Sequence, residues 1–398
     1  MIGIRIGRRA AVAGSLAAMA SPAVVRAQAD PIKIATLTPL TGAGGSYGPT
    51  MAKVAVSVVE EVNKAGGVLG RRVVLVSEDD QTSPEPAVRA ARKLIDVDKV
   101  AAIMGTWASS VTTAVAPLCW ESKTFLCTVS GADSITLLPH QGFLIRTQPN
   151  STLQVTRVGE FILSLGAKKV FTMIPQTPFT QATFDILNAV LPKGGATHQS
   201  LIYDDKKTTY RTEVDQALRT SPDVILANGY TPDSIVLLKD LYRAGFKGKI
   251  LGFAYSINQK LIDQIGQPEV VEGVYTFAPS PAEGSTAYEK VKALVGSANP
   301  DPYTCQVYDH TNMVLMSMAF AKEASGTAIK DNIRKVTQGG GKPVDNAADG
   351  IKAIAAGEKV DYSGASGPCD FDDKGDILDC KFRYEQIKSG KFTVVKIA

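Results

Sequence analysis

Several short segments carry residue types that could do chemistry, and they point to different chemistries. Trp107-Ala108-Ser109-Ser110 sets two hydroxyls and a run of backbone N–H groups where a helical pattern begins, an arrangement suited to holding an anion. Either serine also fits as a plain helix cap, so both roles stay open. Gly44-Gly45-Ser46-Tyr47-Gly48 matches the GxSxG of serine hydrolases, whose serine must sit on a sharp turn directly between strand and helix. Here Pro39 to Ala43 intervene after the first strand pattern, and nothing singles out His310 as a partner, so hydrolysis is not expected. Counted from Gly42, a GxGxxG phosphate cradle fails because Tyr47 stands at its last glycine. Asp370-Phe371-Asp372-Asp373-Lys374-Gly375 half-imitates a calcium loop. Lys374 occupies a ligand position and Lys381 stands where a bidentate Glu is needed, which excludes it.

Metal and redox chemistry find little support. No CxxC occurs, and His140, His198 and His310 are scattered, so neither a metal site nor a cofactor is expected. Of the five cysteines (Cys119, Cys127, Cys305, Cys369 and Cys380), the last two flank Asp373-Lys374-Gly375-Asp376 symmetrically. That spacing fits a disulfide across a hairpin, and it equally fits two reduced, half-buried thiols.

The first 29 residues read as an export leader. Arg5, Arg8 and Arg9 precede an apolar stretch from Ala10 to Ala20, and Ala27-Gln28-Ala29 offers a cleavage site after Ala29. The apolar stretch is too short to span a bilayer, and general or twin-arginine export both stay open. The whole chain has 43 basic and 39 acidic residues; the leader's four arginines leave 39 of each. A chain without net charge has no footprint for phosphate backbones, so nucleic acid is not expected as a partner. The expected 369 mature residues exceed one compact core, and two domains follow.

Those residues must be positioned by alternating strands and helices, the pattern of a parallel sheet covered on both faces. Strand patterns fall at Ile32–Leu37, Val73–Ser77, Val100–Met104, Thr124–Thr128 and Phe143–Arg146, with helical patterns at Met51–Asn63, Pro86–Val97 and Ser109–Glu121. The pattern restarts after Asn150. Strands are predicted at Lys169–Ile174, Gln199–Tyr203, Val224–Asn228, Ile250–Ala254 and Val274–Phe277, with helices at Thr208–Arg219 and Asp233–Ala244 between them. Thr147–Asn150 and Ala278–Pro281 carry proline where the pattern breaks and are candidate hinges. Helices at Ser285–Leu294 and Tyr308–Glu323 then need the first sheet to cover, and the end of the chain looks like a hairpin.

Ile32 to Thr41, Tyr47-Gly48, Asn63-Lys64-Ala65-Gly66-Gly67, Gly70, Asp80, Pro84 and the Gly105…Ser109-Ser110 segment, in this order and spacing, resemble the leucine/isoleucine/valine-binding protein family of periplasmic binding proteins. The resemblance covers nearly all of the expected mature chain. It implies an α/β fold of two Rossmann-like lobes joined by three crossover segments, the type I periplasmic binding protein fold. Lobe 1 is expected over 30–148 and 279–360, and lobe 2 over 149–278 and 361–398.

The resemblance also implies site residues. On the first lobe these are Tyr47, Trp107, Ser109 and Ser110, with Ser130, Gly131 and Ala132 from the loop that holds a ligand's carboxylate and amino groups in the family. A buried aromatic without a ligand role is the other reading of Tyr47. On the second lobe they are Phe179, Tyr230, Phe253 and Ala254. Ala254 stands where amino-acid binders place the glutamate that receives an ammonium, and Ala132 stands where a threonine is usual. An ammonium in a closed cleft without a partner would lose solvation worth several kcal/mol. The expectation is therefore a monomeric periplasmic solute-binding protein that closes on a carboxylate with an apolar or aromatic body and serves the permease subunits of an ABC importer. A branched-chain or other hydrophobic amino acid is the alternative, with Asp133 or Tyr255 as substitute partner for the ammonium. An enzyme or a ligand-sensing module is the more distant one.

Overall fold

Short runs of Val, Ile, Leu and Phe bounded by glycine and proline become the strands of two wound sheets in the computed structural model, which describes residues 30–398. The expected leader lies outside the described residues. The first sheet holds β1 (Ile32–Thr38), β2 (Val73–Asp79), β3 (Ala102–Thr106), β4 (Phe125–Thr128) and β5 (Leu144–Arg146). All neighbours are parallel, in the order β2-β1-β3-β4-β5. The second holds β6 (Lys169–Pro175), β7 (Thr197–Tyr203), β8 (Val224–Ala227), β9 (Lys249–Phe253) and β10 (Tyr275–Pro279), in the order β7-β6-β8-β9-β10. The two windings are the same. A parallel pair, β11 (Lys342–Val344) with β12 (Val360–Tyr362), stands apart, and the hairpin β13 (Phe382–Lys388) and β14 (Lys391–Ile397) adds antiparallel to β10.

Strand periodicity divides the second lobe's core between the two faces of its sheet. Phe171, Met173 and Ile225 join one apolar cluster, while Val170, Val224 and Leu226 join another. The first lobe has one cluster that also takes in the helix Pro302–Ala321, whose residues are buried through Ala319. That helix starts six residues before the apolar pattern suggests. Asp301 caps it by accepting from the Thr304 N–H (2.9 Å), and Pro302 sits in its first turn, where a missing N–H costs nothing.

The chain crosses between sheets three times: after β5, after β10, and before β13. The crossings lie against one another. The Arg146 N–H donates to the Gly375 carbonyl (2.8 Å), the Ile377 N–H to the Arg146 carbonyl (3.1 Å), and the Ser280 N–H to the Lys381 carbonyl (2.7 Å). The third crossing falls later than expected. Tyr362, Ala365, Cys369 and Phe371, expected in the second lobe, pack in the first lobe's cluster, and only the hairpin from Phe382 onward reaches the second sheet.

Of the two readings of Cys369 and Cys380, the structure has the reduced one; both are thiols. The hairpin does form, but Asp372 sets its register by accepting from the Lys374 and Asp376 N–H groups (both 2.9 Å). Phe371 then pairs with Ile377 rather than with Leu378. A one-residue offset turns alternate side chains to opposite faces. Cys369 consequently packs in the first lobe's cluster and Cys380 against one of the second lobe's.

Candidate functional site

In an open wound sheet the strand order reverses at one place, and the loops leaving the carboxyl ends there diverge to leave a crevice. In the first sheet this place lies between β1 and β3, and in the second between β6 and β8. The turn after β3 and the start of the helix Ser109–Ser122 carry Trp107 to Ser110. After β6 come Thr177 and, in the first turn of the helix Pro178–Val190, Phe179; the loop after β8 carries Asn228 to Tyr230. These two sets of loops line one cleft, joined by Gly131, Tyr255 and Tyr303.

The strand β3 ends in a bulge against β4 at Gly105, whose φ of +99° a side chain would strain. Beyond it Ala108 is the cap residue of the helix Ser109–Ser122, and it offers no side-chain acceptor. Neither serine is therefore a cap. Ser109 and Ser110 are the first two helical residues, half-buried on the cleft wall, and the first main-chain bond of this helix runs from the Thr112 N–H to the Ala108 carbonyl (3.0 Å). The N–H groups that precede Thr112 in this helix have no main-chain acceptor within it. The Ser109 hydroxyl also accepts from the Ala132 N–H (3.2 Å), which ties this helix to the next loop.

That next loop, 130–132, is held by donors on its carbonyl side. Arg146, fully buried, donates through a guanidinium N–H to the Ala132 carbonyl (2.5 Å) and more weakly to Ser130 (3.5 Å). Its Nε meets Asp376 at 2.8 Å. The Ser151 hydroxyl donates to the Gly131 carbonyl (2.9 Å). All three loop carbonyls are engaged. The Ser130 hydroxyl donates to the carbonyls of Thr106 (3.0 Å) and Trp107 (2.8 Å), away from the cleft. A Cβ on Gly131 would sit 2.9 Å from Gln154 Nε2 and 3.1 Å from the Phe179 ring, so the position is closed to larger residues.

Aromatic rings run in continuous contact from the first lobe into the second. Tyr47 stacks on Trp107 at 5.4 Å, Tyr303 meets both edge-on, and Trp107 lies 5.7 Å from Tyr230 and 6.1 Å from Tyr255. Phe179 packs edge-on to Phe253 at 5.5 Å, and Phe253 continues to Tyr255 at 5.6 Å. Burial raises the phenols of Tyr255 and Tyr303 well above their ordinary value and Tyr230 to about 12, so all three stay protonated and can donate.

Of the residues expected at the site, Trp107, Ser109, Ser110, Gly131, Phe179 and Tyr230 line the cleft. The others do not. Ser130 and Ala132 are buried behind it, and Phe253 is buried beneath Phe179. Tyr47 and Ala254 meet across a neighbouring cavity, where the Tyr47 hydroxyl donates to the Ala254 carbonyl (3.1 Å). Asp133, named as a substitute partner for an ammonium, accepts from the N–H (3.1 Å) and hydroxyl (2.8 Å) of Thr152 instead. Sequence reasoning missed Gln148, Gln154, Thr177, Asn228 and Tyr303 as lining residues. Asn228, Thr177 and Gln148 lie within two residues of strand ends, a signal that could have found them; Gln154 lies on the following helix and Tyr303 reaches the cleft from the helix Pro302–Ala321.

No Asp, Glu, Lys, Arg or His is among the described residues lining the cleft. Buried acids lie behind its walls, and burial pushes them toward the neutral form: Asp80 up to about 7, Asp233 up to about 6, and Asp301, beside Tyr303, above its ordinary value. Asp233 is further occupied by the Tyr203 hydroxyl (2.6 Å). Ser46 shares no hydrogen bond with a histidine. His140 pairs with the Gly142 N–H, His198 with Thr172 and Asn188, and His310 with Thr147. The GxSxG match therefore has no catalytic company.

Residues 31–391 match the family model described as "Periplasmic binding protein". The Leu/Ile/Val-binding protein homolog 3 of Brucella melitensis is 25% identical over 344 residues, covering 84% of this chain and 89% of that protein. The crystal structure of a leucine binding protein from Thermotoga maritima superposes with a TM-score of 0.78 at 23% identity, covering 92% of this chain and 98% of that one. A solute binding protein of an ABC transporter from Rhodopseudomonas palustris, solved with p-hydroxybenzoic acid, superposes with a TM-score of 0.75 at 16% identity, covering 93% and 97%.

Proposed function

The chain belongs to the periplasmic binding protein family, whose members bind solutes rather than transform them, and on that premise we propose that it captures a small carboxylate with an apolar or aromatic body. The cleft's one-sided polarity supports this reading. The helix Ser109–Ser122 opens on it with unpaired N–H groups, while the carbonyls of loop 130–132 are already held by Arg146 and Ser151. An oxyanion would find donors there; an ammonium would find no acid on the lining and loop carbonyls that each already hold a donor. Trp107, Phe179, Tyr230 and Tyr255 would bury the ligand's body, contributing about 25 cal/mol per Å² of apolar area before association costs. The p-hydroxybenzoic acid held by the Rhodopseudomonas palustris protein is a ligand of this kind.

The ligand would sit where both lobes reach it, so that closure about the three crossings depends on contacts made only in the closed state. In this proposal the protein is exported, works as a single chain because both cleft walls come from one polypeptide, and hands its ligand to the membrane subunits of an ABC importer. A hydrophobic amino acid is the second reading, favoured by the names of the Brucella melitensis and Thermotoga maritima proteins. A thermal-shift screen of aromatic acids, fatty acids and amino acids, followed by calorimetry of each hit, decides between them. Stabilisation by aromatic acids and not by amino acids supports the proposal. Stabilisation by amino acids alone overturns it.

A further inference from the structure

Three buried glutamines form a chain of side-chain amides that runs from the first lobe through the first crossing into the second lobe. Gln306, on the helix Pro302–Ala321, donates through Nε2 to the Thr147 carbonyl (3.4 Å) and to Gln148 Oε1 (2.9 Å). Gln148 Nε2 donates to Gln154 Oε1 (3.0 Å), and Gln154 Nε2 to the Pro149 carbonyl. All three are at most 3% exposed.

The ends of this chain fix its direction. The carbonyls of Thr147 and Pro149 can only accept, so Gln306 and Gln154 must each turn a nitrogen toward them. The Gln154 oxygen then needs a donor and the Gln306 nitrogen supplies one, which leaves a single orientation for Gln148 between them. The oxygens of the middle and distal amides are each turned to a donor inside the chain. Each nitrogen carries two N–H groups, and Gln148 and Gln154 use one apiece within it. Both residues line the cleft, and Gln154 Nε2 lies directly behind Gly131.

We propose that this amide relay is the specificity determinant of the cleft: Gln148 and Gln154 present only donors to the ligand, and Gln306, remote from it, holds them that way. The relay rests on the reading of the cleft as a carboxylate site and sharpens it. A ligand acceptor completes the two amides, whereas an ammonium meets their N–H groups while their oxygens are turned to donors inside the chain, and unpaired buried polar groups are what make a site reject a close analogue.

The test is calorimetry of matched pairs, 3-phenylpropanoate with phenylalanine and 4-methylpentanoate with leucine, on wild type, Gln148→Met, Gln148→Glu and Gln306→Met, with thermal melts as a check on folding. Wild type is expected to bind the acid of a pair at least thirtyfold more tightly than the amino acid. Gln148→Met should lose at least tenfold in affinity for the acid with the amino acid nearly unchanged, and Gln148→Glu should reverse the preference. Gln306→Met should narrow the ratio several-fold without touching the ligand, and it carries the test if the Gln148 variants do not fold. A structural role alone would weaken both members of a pair together. Equal losses, or none, while wild type still prefers the acid overturn the relay and leave the proposed function standing. A wild type that prefers the amino acid, or binds neither member of either pair, overturns both.

Discussion

The Tyr47 hydroxyl of the first lobe donates to the Ala254 carbonyl of the second at 3.1 Å, two positions 207 residues apart in the chain. The same oxygen accepts from Asn258 Nδ2 at 2.8 Å. At Ala254 the chain offers its main chain to its own other lobe. Tyr47 thereby becomes a fastening between lobes, outside the cleft lining.

Removing that hydroxyl should loosen the closed form without unfolding the protein. Tyr47→Phe keeps the ring stacked on Trp107 and loses the pair of bonds, so ligand affinity should fall by about 0.5–1.5 kcal/mol, roughly two- to tenfold. Calorimetry reads the affinity, and small-angle scattering of the liganded protein should show a larger open fraction. Unchanged affinity would reduce the contact to ordinary packing.

The two serines should separate by role. Ser110→Ala removes a hydroxyl on the cleft wall, and loss of a hydrogen bond to a carboxylate should cost about 1.5–3 kcal/mol of binding with little effect on melting. Ser109→Ala also removes the acceptor for the Ala132 N–H, so it should lower stability by about 1 kcal/mol. Denaturant unfolding beside calorimetry distinguishes the pair; identical behaviour of the two variants would contradict the assignment.

Asp80 should give the protein a pH dependence of definite sign. Burial pushes its carboxyl from 3.8 up to about 7, one oxygen bonds the Thr82 N–H (2.7 Å), and the other has no partner. Between those values the folded protein holds a proton that the unfolded chain has released. Stability from this group therefore rises as pH falls from about 7 toward 4 and is lost above 7, a swing of a few kcal/mol. Asp80→Asn should flatten the difference in unfolding free energy between pH 4.5 and pH 8. A variant with the wild-type difference would show that Asp80 is not its source.

Much of the fold was legible because each lobe repeats one local rule. Apolar runs of strand length end at glycine or proline, and helical patterns of about a dozen residues lie between them. Ile32–Leu37 and Lys169–Ile174 were found to within a residue at either end for this reason. The helix Pro302–Ala321 was harder. It is buried nearly all round, so its apolar periodicity is weak, and the cap at Asp301 marks its start better than the pattern does. The cleft was legible where residues directly follow strand ends, as Trp107 to Ser110 and Tyr230 do. It was not legible where tertiary contacts choose between partners. Asp133 could turn inward or toward Thr152, and nothing local decides; Gln148 and Gln154 share one stretch of chain, but Gln306, 158 residues beyond Gln148, meets them only through the fold.

The hairpin near the end of the chain shows the smallest such decision. Symmetric spacing of Cys369 and Cys380 suggests a bridge, but the Asp372 side chain draws the turn one position earlier and separates them onto different cores. Protein denatured without reductant should titrate with five thiols, the number of its cysteines. Three thiols would mean that a bridge forms after all.

The central claim is that the cleft takes a carboxylate and has no place for an ammonium. Titrating leucine and 4-methylpentanoate, which differ only in the amino group, into the same protein preparation tests it most directly, with phenylalanine and 3-phenylpropanoate as the aromatic pair. Binding of the deaminated acid of at least one pair, with its amino acid much weaker or silent, is the result expected from unpaired helix N–H groups beside carbonyls already held by Arg146 and Ser151. Micromolar leucine binding with no binding of 4-methylpentanoate would contradict it.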